Sequence, residues 1–435
     1  MLDMELNAGL ERPHCPLCQR ARIRPTDIQD GKLLMFECAD RGCRWTARAH
    51  LPEIHKTIIY LDTSTVSHIA RARQRNERQS PWTALYESLR RAAAEEVIAC
   101  PGSSIVRSET ELSSLSCEIA TLAEELCDPG LKHELDVQRA QIFRCLDRFL
   151  AGEPPLRAER PPAQDAFRRN VHEWHSVFKI TFRLASLPEI VDSSRRNKVL
   201  LRDRAERIFK EYDNLGYDFE TVTKKEADAF GQAVLAEGKR CALQLLGLLP
   251  IRSALEQSSL FVPTTFDLIS RVLQERHGMA PDDALATAEE FLLSEHVSRT
   301  PVAAIGAKLL AGLAILCRGP MPRKLQKGDY IDIEHISTYL PYVDVFIADR
   351  FFTGLCNQSH IAVGETYGTE IRRLSERNID EFIQYLDELR ASAPQAELAQ
   401  RISRTIVEGG YHQDHADTVS EYLRLRGWDS PEARE

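Results

Sequence analysis

The sequence predicts an α/β protein whose small parallel sheet is flanked by helices and assembled from two distant parts of the chain. Short apolar runs that end in an acidic residue occur at residues 57–62 and 343–349, and long helical patterns separate them. Four cysteines cluster near the N-terminus and predict a small metal-bound unit ahead of the sheet. Short apolar runs are typical of buried strands, whereas apolar residues three and four positions apart are typical of helices.

The composition is that of a folded protein with a sizeable core. The 435 residues are 43% hydrophobic, and their number suggests two or three domains. The formal net charge of -9 does not exclude nucleic acid as a partner, because a local basic face can bind it within an acidic chain. The most apolar window, 303–317, is too short to span a bilayer, and the N-terminus lacks a signal-peptide pattern. We therefore expect a cytoplasmic protein with no membrane partner.

The N-terminal cysteines have the spacing of a structural zinc site. Cys15 and Cys18 form one pair, Cys38 and Cys43 form a second, and the other seven of the 11 cysteines are scattered. Two such pairs suit tetrahedral zinc, and a four-thiolate site has no open position for a substrate. The alternatives are free cysteines, or a site in which His14 or His50 replaces one thiolate.

The stretch 56–70 predicts a buried strand that runs into a helix, with Asp62 at the junction. An acid at the carboxyl end of such a strand lies where α/β sheets place ligands, although a helix cap is the common alternative. A second apolar run, 96–101, predicts another strand. The helix after it would be capped by Ser103 or Ser104 and would have Glu109 in its second turn.

Residues 112–276 read as almost wholly helical and include a basic stretch. Seven basic side chains face two acids between residues 195 and 210, which fits either a helix that contacts phosphates or a solvated helix face. The basic residues are Arg195, Arg196, Lys198, Arg202, Arg204, Arg207 and Lys210. His172 and His175, beside Trp174, fit packing or capping better than metal binding. Residues 318–327, rich in proline, glycine and basic side chains, predict a loop.

The last part of the chain returns to the strand and helix pattern. Residues 343–349 form a short apolar run with Asp344 at its start and Asp349 at its end, and 361–364 could be one more strand. Residues 378–389 predict an amphipathic helix capped by Asn378, and the chain ends in a polar helical segment.

Carboxylates that converge at one edge of a parallel sheet repel each other unless a cation lies between them. The strand-like runs end at or near Asp62, Glu109 and Asp349, with Asp344 beside the third. Oxygen ligands select hard ions, so the cluster implies Mg²⁺ or Mn²⁺. Such ions can activate water and stabilise the attacking and leaving oxygens of a phosphodiester.

At these residues the sequence resembles a known family. Tyr60-Leu-Asp-Thr-Ser-Thr-Val-Ser67 resembles the opening strand of PIN-domain nucleases, and Asp344-Val-Phe-Ile-Ala-Asp349 resembles their late strand with its metal-binding acid. Asp332-Ile-Glu-His335, together with Tyr339-Leu-Pro-Tyr-Val-Asp344, is similar to a poorly described bacterial PIN-like group. The resemblance covers residues 56–111 and 329–390. Ser64 stands where the family commonly has asparagine, and more than 200 residues separate Glu111 from Asp332.

The resemblance implies an acidic cluster with assigned roles. Asp62 would be a metal ligand, Asp349 would position the ion or its waters, and Asp344 would match the family's third acid. Glu109 would complete the cluster, with Glu111 as its rival, because only one of two helical residues two apart can face the site. The last pair is Asp332 and His335. His335 would contact the scissile phosphate or move a proton, or the two would be a capping aspartate and a packed histidine.

The expected protein is therefore an Mg²⁺- or Mn²⁺-dependent endoribonuclease with a structural Zn²⁺. Arg195, Arg196, Lys198 and Arg202 are the candidate nucleic-acid contacts, with RNA favoured over DNA and a protein regulator possible as a further partner. The alternatives are a binding module with a degenerate acidic pocket, or a DNA-directed nuclease in a defence or toxin role. The expected domains are a zinc ribbon (1–52), a PIN-like domain in two parts (56–111 and 328–392), a helical insertion (112–327) and a helical tail (393–435).

Overall fold

The computed structural model of the chain is an α/β fold with two four-stranded sheets. It describes residues 2–11, 14–77, 79–103, 115, 118–119, 121–122, 126, 130–175, 202–251, 262–318 and 322–408. One sheet is N-terminal and mostly antiparallel, and the other is wholly parallel. The α/β class and the parallel sheet flanked by helices agree with the sequence prediction.

The N-terminal sheet contributes to a small apolar core and holds Cys38, one of the clustered cysteines, at the end of one of its strands. Its strands are β1 (Leu2–Asp3), β2 (Ile23–Gln29), β3 (Leu33–Cys38) and β4 (Thr46–His50), in the order β1-β4-β3-β2. Asp30 and Gly31 turn the chain between β2 and β3, both with positive φ. A side chain at Gly31 would collide with Glu173, so this turn also admits a later part of the chain at close range.

The parallel sheet joins strands from both ends of the sequence. Its strands are β5 (Thr57–Leu61), β6 (Ile98–Ala99), β7 (Val345–Ile347) and β8 (Glu370–Arg372), in the order β6-β5-β7-β8. β5 and β7 are its two central strands, with Leu61 opposite Ile347. Successive side chains point to opposite faces, so Ile58 and Tyr60 pack into one core, whereas Ile59 packs into the other.

Helices cover both faces of this sheet. The first helices are α1 (Leu6–Leu10), α2 (Thr63–Gln74), α3 (Pro81–Ala94) and α4 (Glu134–Leu150). Residues 202–214 are helical, and the helices after them are α5 (Phe219–Leu245), α6 (Thr265–His277), α7 (Pro281–Leu292), α8 (Glu295–Ser298) and α9 (Pro301–Leu316). The last are α10 (Asp329–Tyr339), α11 (Arg350–Cys356), α12 (Val363–Tyr367), α13 (Ile379–Ser392) and α14 (Gln395–Glu408).

The helices divide between the two cores according to their apolar faces. The core that contains Ile59 and Ile347 also takes side chains from α2, α3 and α13, and the core that contains Tyr60 and Phe346 takes side chains from α9, α10 and α11. The aromatic rings of Tyr60 and Phe346 stack at a centroid distance of 4.6 Å. Among the helices of the described ranges, none has the length and apolar character needed to cross a bilayer.

One local prediction was wrong, and another was correct for the N-cap residue but not for its side chain. The apolar run 361–364 is not a strand, because Val363 begins the short helix α12 and the fourth strand of the sheet is β8 instead. A run of four apolar residues does not distinguish a buried strand from a buried turn of helix. Asn378 does not cap α13 through its side chain, because its Oδ1 accepts hydrogen bonds from the backbone N–H and the hydroxyl of Ser375.

The close approach of α5 to α7 predicts different effects for two glycine substitutions. A Cβ at Gly231 would lie 1.8 Å from the backbone oxygen of Leu292, whereas a Cβ at Gly306 in α9 would have 3.8 Å to its nearest neighbour. We expect Gly231→Ala to cost about 1–3 kcal/mol, since a backbone atom cannot move aside easily. Gly306→Ala should add about 0.5–1 kcal/mol through helix propensity. Urea unfolding of both variants measures this, and equal stabilities would contradict the packing described.

Candidate active site and metal centre

Asp62 and Asp349 lie at the carboxyl edge of the parallel sheet, at the ends of its two central strands. β5 ends at Leu61 and β7 ends at Ile347, and these two residues face each other in the ladder. Asp62 directly follows β5 and Asp349 follows β7 after Ala348, and each is the N-cap residue of the following helix, α2 or α11. The carboxyl ends of parallel strands are where α/β sheets bind ligands, and this pair occupies that position.

Both aspartates also cap their helices. Asp62 Oδ1 accepts the backbone N–H of Thr65 at 2.9 Å, and Asp349 Oδ1 accepts the backbone N–H of Phe352 at 2.7 Å. The capping role that the sequence allowed is therefore present. It does not exhaust either group, because an ionised carboxylate has about four acceptor positions and each cap uses one of them.

Ser64 makes a direct contact with the first aspartate. Its hydroxyl donates a hydrogen bond to Asp62 Oδ2 at 2.8 Å. This hydrogen bond uses the carboxylate oxygen that the helix cap leaves open. Together with the cap from Thr65, it fixes the orientation of both oxygens of Asp62.

The two carboxylates interact electrostatically. Burial raises the pKa of Asp62 above its ordinary value, the hydrogen bonds from Thr65 and Ser64 oppose this rise, and the negative charge of Asp349 adds to it. A half-buried carboxylate whose neighbour carries the same charge is costly to ionise. A cation between the two groups would remove that cost, and hard oxygen ligands suit Mg²⁺ or Mn²⁺.

Arg323 is the cation of this neighbourhood that the sequence did not single out. Its guanidinium forms a two-bond ion pair with Asp329, at 2.6 and 2.7 Å, and lies 3.7 Å from the centre of the Phe351 ring. The pKa of Arg323 is raised first by the hydrogen bond to Asp329, and the charge of Asp349 contributes to the rise. The only sequence signal was that Arg323 belongs to a basic loop.

Asp344 does not belong to this cluster, which corrects the sequence prediction. It precedes β7 and therefore lies at the amino edge of the sheet, about 13 Å along the strands from the level of Asp62. Its Oδ2 accepts the backbone N–H of Ile58 at 2.7 Å, and its Oδ1 pairs with Arg160 at 2.8 Å. Because a parallel strand has its two ends at opposite edges, acids at both ends of one strand cannot meet.

Asp332 and His335 lie on α10, and His335 is packed in the core. Its side chain is buried, with its ring edge-on to Tyr60 at a centroid distance of 6.2 Å. This burial matches the packed-histidine alternative. Asp332 is half-buried in the first turn, and the N-cap residue of α10 is Gly328, which has no side chain to cap the helix.

Several of the predicted residues lie outside the described part of the chain. Glu109 and Glu111 do, and so do Arg195, Arg196 and Lys198. Arg202 is described and forms an ion pair with the neighbouring Asp203 at 2.6 Å.

The four N-terminal cysteines come together as predicted. All four sulfur atoms lie within 4.8 Å of one another, with Cys15 and Cys43 at 3.7 Å and Cys18 and Cys38 at 3.5 Å. A tetrahedral zinc with bonds of about 2.3 Å would separate its sulfurs by about 3.8 Å. The cluster could therefore hold a structural metal such as zinc with little rearrangement.

The thiols of the cluster differ in how readily they ionise without a metal. Hydrogen bonds with the backbone of Ala21 and Arg20 lower the pKa of Cys18 to about 6. Burial raises the pKa of Cys38 to about 12, against a hydrogen bond from the Asp40 backbone. A bound cation favours thiolates, so metal binding and ionisation of Cys38 are coupled.

A buried charged cluster at the amino edge was missed by the sequence reasoning. Lys56 is fully buried, with Nζ 2.5 Å from Glu96 Oε2, and His175 Nδ1 lies 3.1 Å from the same oxygen. Burial alone would raise the pKa of Glu96, but His175 and Lys56 lower it below its ordinary value. His172 Nδ1 accepts the backbone N–H of Lys56 at 3.2 Å. The histidines set aside as packing residues thus anchor this edge.

Of the acids expected to converge, Asp62 and Asp349 lie at one edge of the sheet in the described chain, and Asp344 lies at the opposite edge. Arg323 is a cation near the pair that was not expected. Comparison with models of known families, with curated proteins and with solved structures gave no match. Support for a function therefore comes from the geometry of this chain and from its sequence motifs.

The cysteine cluster predicts a stability that depends on bound metal. Removing the ion with a chelator, or replacing Cys38 by serine, should lower the free energy of unfolding by several kcal/mol, because metal binding stabilises only the folded N-terminal unit. Metal content by mass spectrometry and thermal melts measure this. Cys317→Ser, a half-buried cysteine outside the cluster, is the control. A protein that purifies without metal and melts identically with a chelator would contradict the assignment.

The amino-edge cluster predicts a dependence of stability on pH. Burial, with the nearby charge of His55, lowers the pKa of His172 below its ordinary 6.5, although Asp344 opposes this. Below pH about 6.5 the unfolded chain therefore binds more protons at this residue, and the free energy of unfolding falls. Urea unfolding at pH 7.5 and 5.5 should show a smaller loss for His172→Asn than for wild type. His277→Asn, which replaces an exposed histidine, should lose as much unfolding free energy between the two pH values as wild type does. If His172→Asn also loses as much as wild type, the pH dependence does not come from His172.

Proposed function

We propose that the protein is a metal-dependent nuclease of the PIN-like type that hydrolyses RNA phosphodiester bonds at Asp62 and Asp349. The observation that supports this best is the position of the two carboxylates at the carboxyl ends of adjacent central strands. The resemblance of residues 60–67 and 344–349 to PIN-domain nucleases includes both of these acids, and it also includes Asp344, which lies at the opposite edge.

The donor set fits Mg²⁺ or Mn²⁺. Both groups offer hard oxygens, and Mg²⁺ commonly uses one or two carboxylates, with substrate phosphate and water completing its six ligands. Such an ion, when bound, supplies an activated water and neutralises charge on the phosphate. In this chain Thr65 and Ser64 hold the Asp62 carboxylate in one orientation, and the backbone of Phe352 holds that of Asp349.

The remaining parts of the proposal concern the substrate and its surroundings. We assign a structural zinc to the four cysteines, and propose that basic side chains of the 202–214 helix contact the nucleic acid. Arg204, Arg207 and Lys210 are exposed on that helix and are free to meet a phosphate backbone. The thiolate ligands suit a reducing compartment, in keeping with a cytoplasmic enzyme.

A second function, that of a nucleic-acid binding module, is favoured by one observation. Both aspartates cap helices, which would preserve them in a protein with no catalysis. A calorimetric titration with Mn²⁺ separates the two functions. The nuclease requires an Mn²⁺ site that is lost in Asp62→Asn, whereas a binding module with a degenerate pocket shows no such difference.

The proposal predicts Mn²⁺-dependent cleavage of a single-stranded RNA that requires both carboxylates. Asp62→Asn and Asp349→Asn should each lower kcat/KM by about two orders of magnitude or more, because a metal ligand is weakened. Asparagine keeps the helix caps, so both variants should stay folded. Cleavage of labelled RNA, and of DNA of the same sequence, measures the loss and the substrate preference.

Asp344→Asn is the matched control. It changes the same atoms in an aspartate at the opposite edge, so it should alter stability more than kcat. Cleavage that survives in both Asp62→Asn and Asp349→Asn would place the activity elsewhere. Equal loss in Asp344→Asn would show that folding, and not the acidic pair, controls the rate.

A further inference from the structure

Arg323 forms an asymmetric ion pair beside the acidic site. Its partner Asp329 is buried, with 5% of its side chain exposed, whereas 23% of the Arg323 side chain is exposed. Asp329 is itself fixed, because its Oδ2 also accepts the backbone N–H of Gln326. The acid therefore serves as an internal support, and the guanidinium keeps a face toward solvent.

The orientation of this guanidinium leaves one edge available. Nη1 and Nη2 donate to the two oxygens of Asp329, and Nη1 also approaches the backbone oxygen of Lys324 at 3.4 Å. Within the described ranges no acceptor takes the Nε–H. A guanidinium has five N–H donors, and the edge formed by Nε and Nη2 matches two oxygens of a phosphate.

The support holds Arg323 against the helix that Asp349 caps. The guanidinium carbon lies 3.7 Å from the centre of the Phe351 ring, and Phe351 is in the first turn of α11, two residues after Asp349. Stacking on the ring and the ion pair to Asp329 together restrict the rotation of the side chain. An arginine fixed in this way contacts a phosphate with less loss of side-chain entropy than a free one.

We propose that Arg323 is a substrate-binding residue that contacts a backbone phosphate of RNA held at the Asp62–Asp349 pair. This inference rests on the proposed function. Two carboxylates at the site repel a phosphodiester, and a cation on one flank offsets that repulsion at the side where the phosphate enters. Arg323 would then recognise phosphate by charge and shape and not by base identity, so its contribution should be similar for different sequences.

The test compares Arg323 with an arginine in the same kind of ion pair at the other edge. Arg390 pairs through two bonds with the buried Glu95, at 2.6 and 2.7 Å, and its side chain is 18% exposed. Removing either guanidinium leaves a buried acid with one neutral donor, Gln326 N–H for Asp329 and Gln400 Nε2 for Glu95, and no charged partner. Arg323→Gln and Arg390→Gln should therefore lose similar stability. Only Arg323→Gln removes a positive charge beside Asp349.

We expect Arg323→Gln to weaken binding of a fluorescent single-stranded RNA about tenfold or more, since a charged hydrogen bond is lost. Fluorescence anisotropy in the Asp62→Asn background measures this without cleavage. Arg390→Gln should bind as the parent does, and Arg323→Lys should recover part of the affinity, because it restores charge without the two-bond geometry. In the active enzyme, Arg323→Gln should raise KM and leave calorimetric Mn²⁺ binding unchanged.

Three results would decide against the inference or separate it from the proposed function. Unchanged RNA affinity in Arg323→Gln overturns it, and so does an equal loss in Arg390→Gln, because the loss would then follow from destabilisation. If wild type does not cleave RNA but Arg323→Gln still weakens binding selectively, the substrate contact stands and the hydrolytic function fails.

Discussion

Strands β5 and β7 pair side by side although Ile58 and Asp344, which join them at the amino edge, are 286 residues apart in the sequence. This parallel ladder sets where the two strands end relative to each other at the carboxyl edge of the sheet. It turns two separate strand ends into neighbours, so that the two helices that start there have their N-termini and their capping aspartates at the same edge. Without this pairing Asp62 and Asp349 would be two unrelated helix caps.

The two edges of the sheet have opposite electrostatic characters. At the amino edge the described residues form three specific ion pairs: Lys56 with Glu96, Arg390 with Glu95, and Asp344 with Arg160. At the carboxyl edge two carboxylates share a small region, and Arg323 stands beside them. Buried charges that are paired serve structure, whereas like charges held close together cost stability and are typical of sites with a ligand.

The sequence predicted the parts of the fold that depend on local pattern. The cysteine pairs are short-range features, and the helix start at Asp62 follows from the change between an apolar run and a helical period. The strand predicted at residues 361–364 was wrong because a run of four apolar residues fits either a strand or a turn of helix. The prediction that Asp344 joins the acidic site was wrong for a geometric reason that the sequence already contained. Asp344 and Asp349 lie at opposite ends of one short strand, and such a strand cannot present both acids to one site.

Other parts of the site could not be predicted from one sequence. The ion pairs of Lys56 with Glu96 and of Arg390 with Glu95 join residues that only the tertiary fold brings together. Arg323 and Asp329 are close in sequence, but nothing in their spacing shows that the loop places the guanidinium on Phe351. Such contacts depend on where a loop packs against a helix, and the hydrophobic pattern of a sequence does not predict that position.

The position of β7 late in the chain has a consequence for synthesis in the cell. At about 5 to 20 residues per second, roughly 15 to 60 s pass between the emergence of β5 from the ribosome and that of β7. Throughout that time β5 has an unpaired edge made of the apolar residues 57–61, a known template for aggregation. The newly made N-terminal half therefore needs a temporary cover, either from its own helices or from a chaperone, before the carboxyl edge of the sheet can exist.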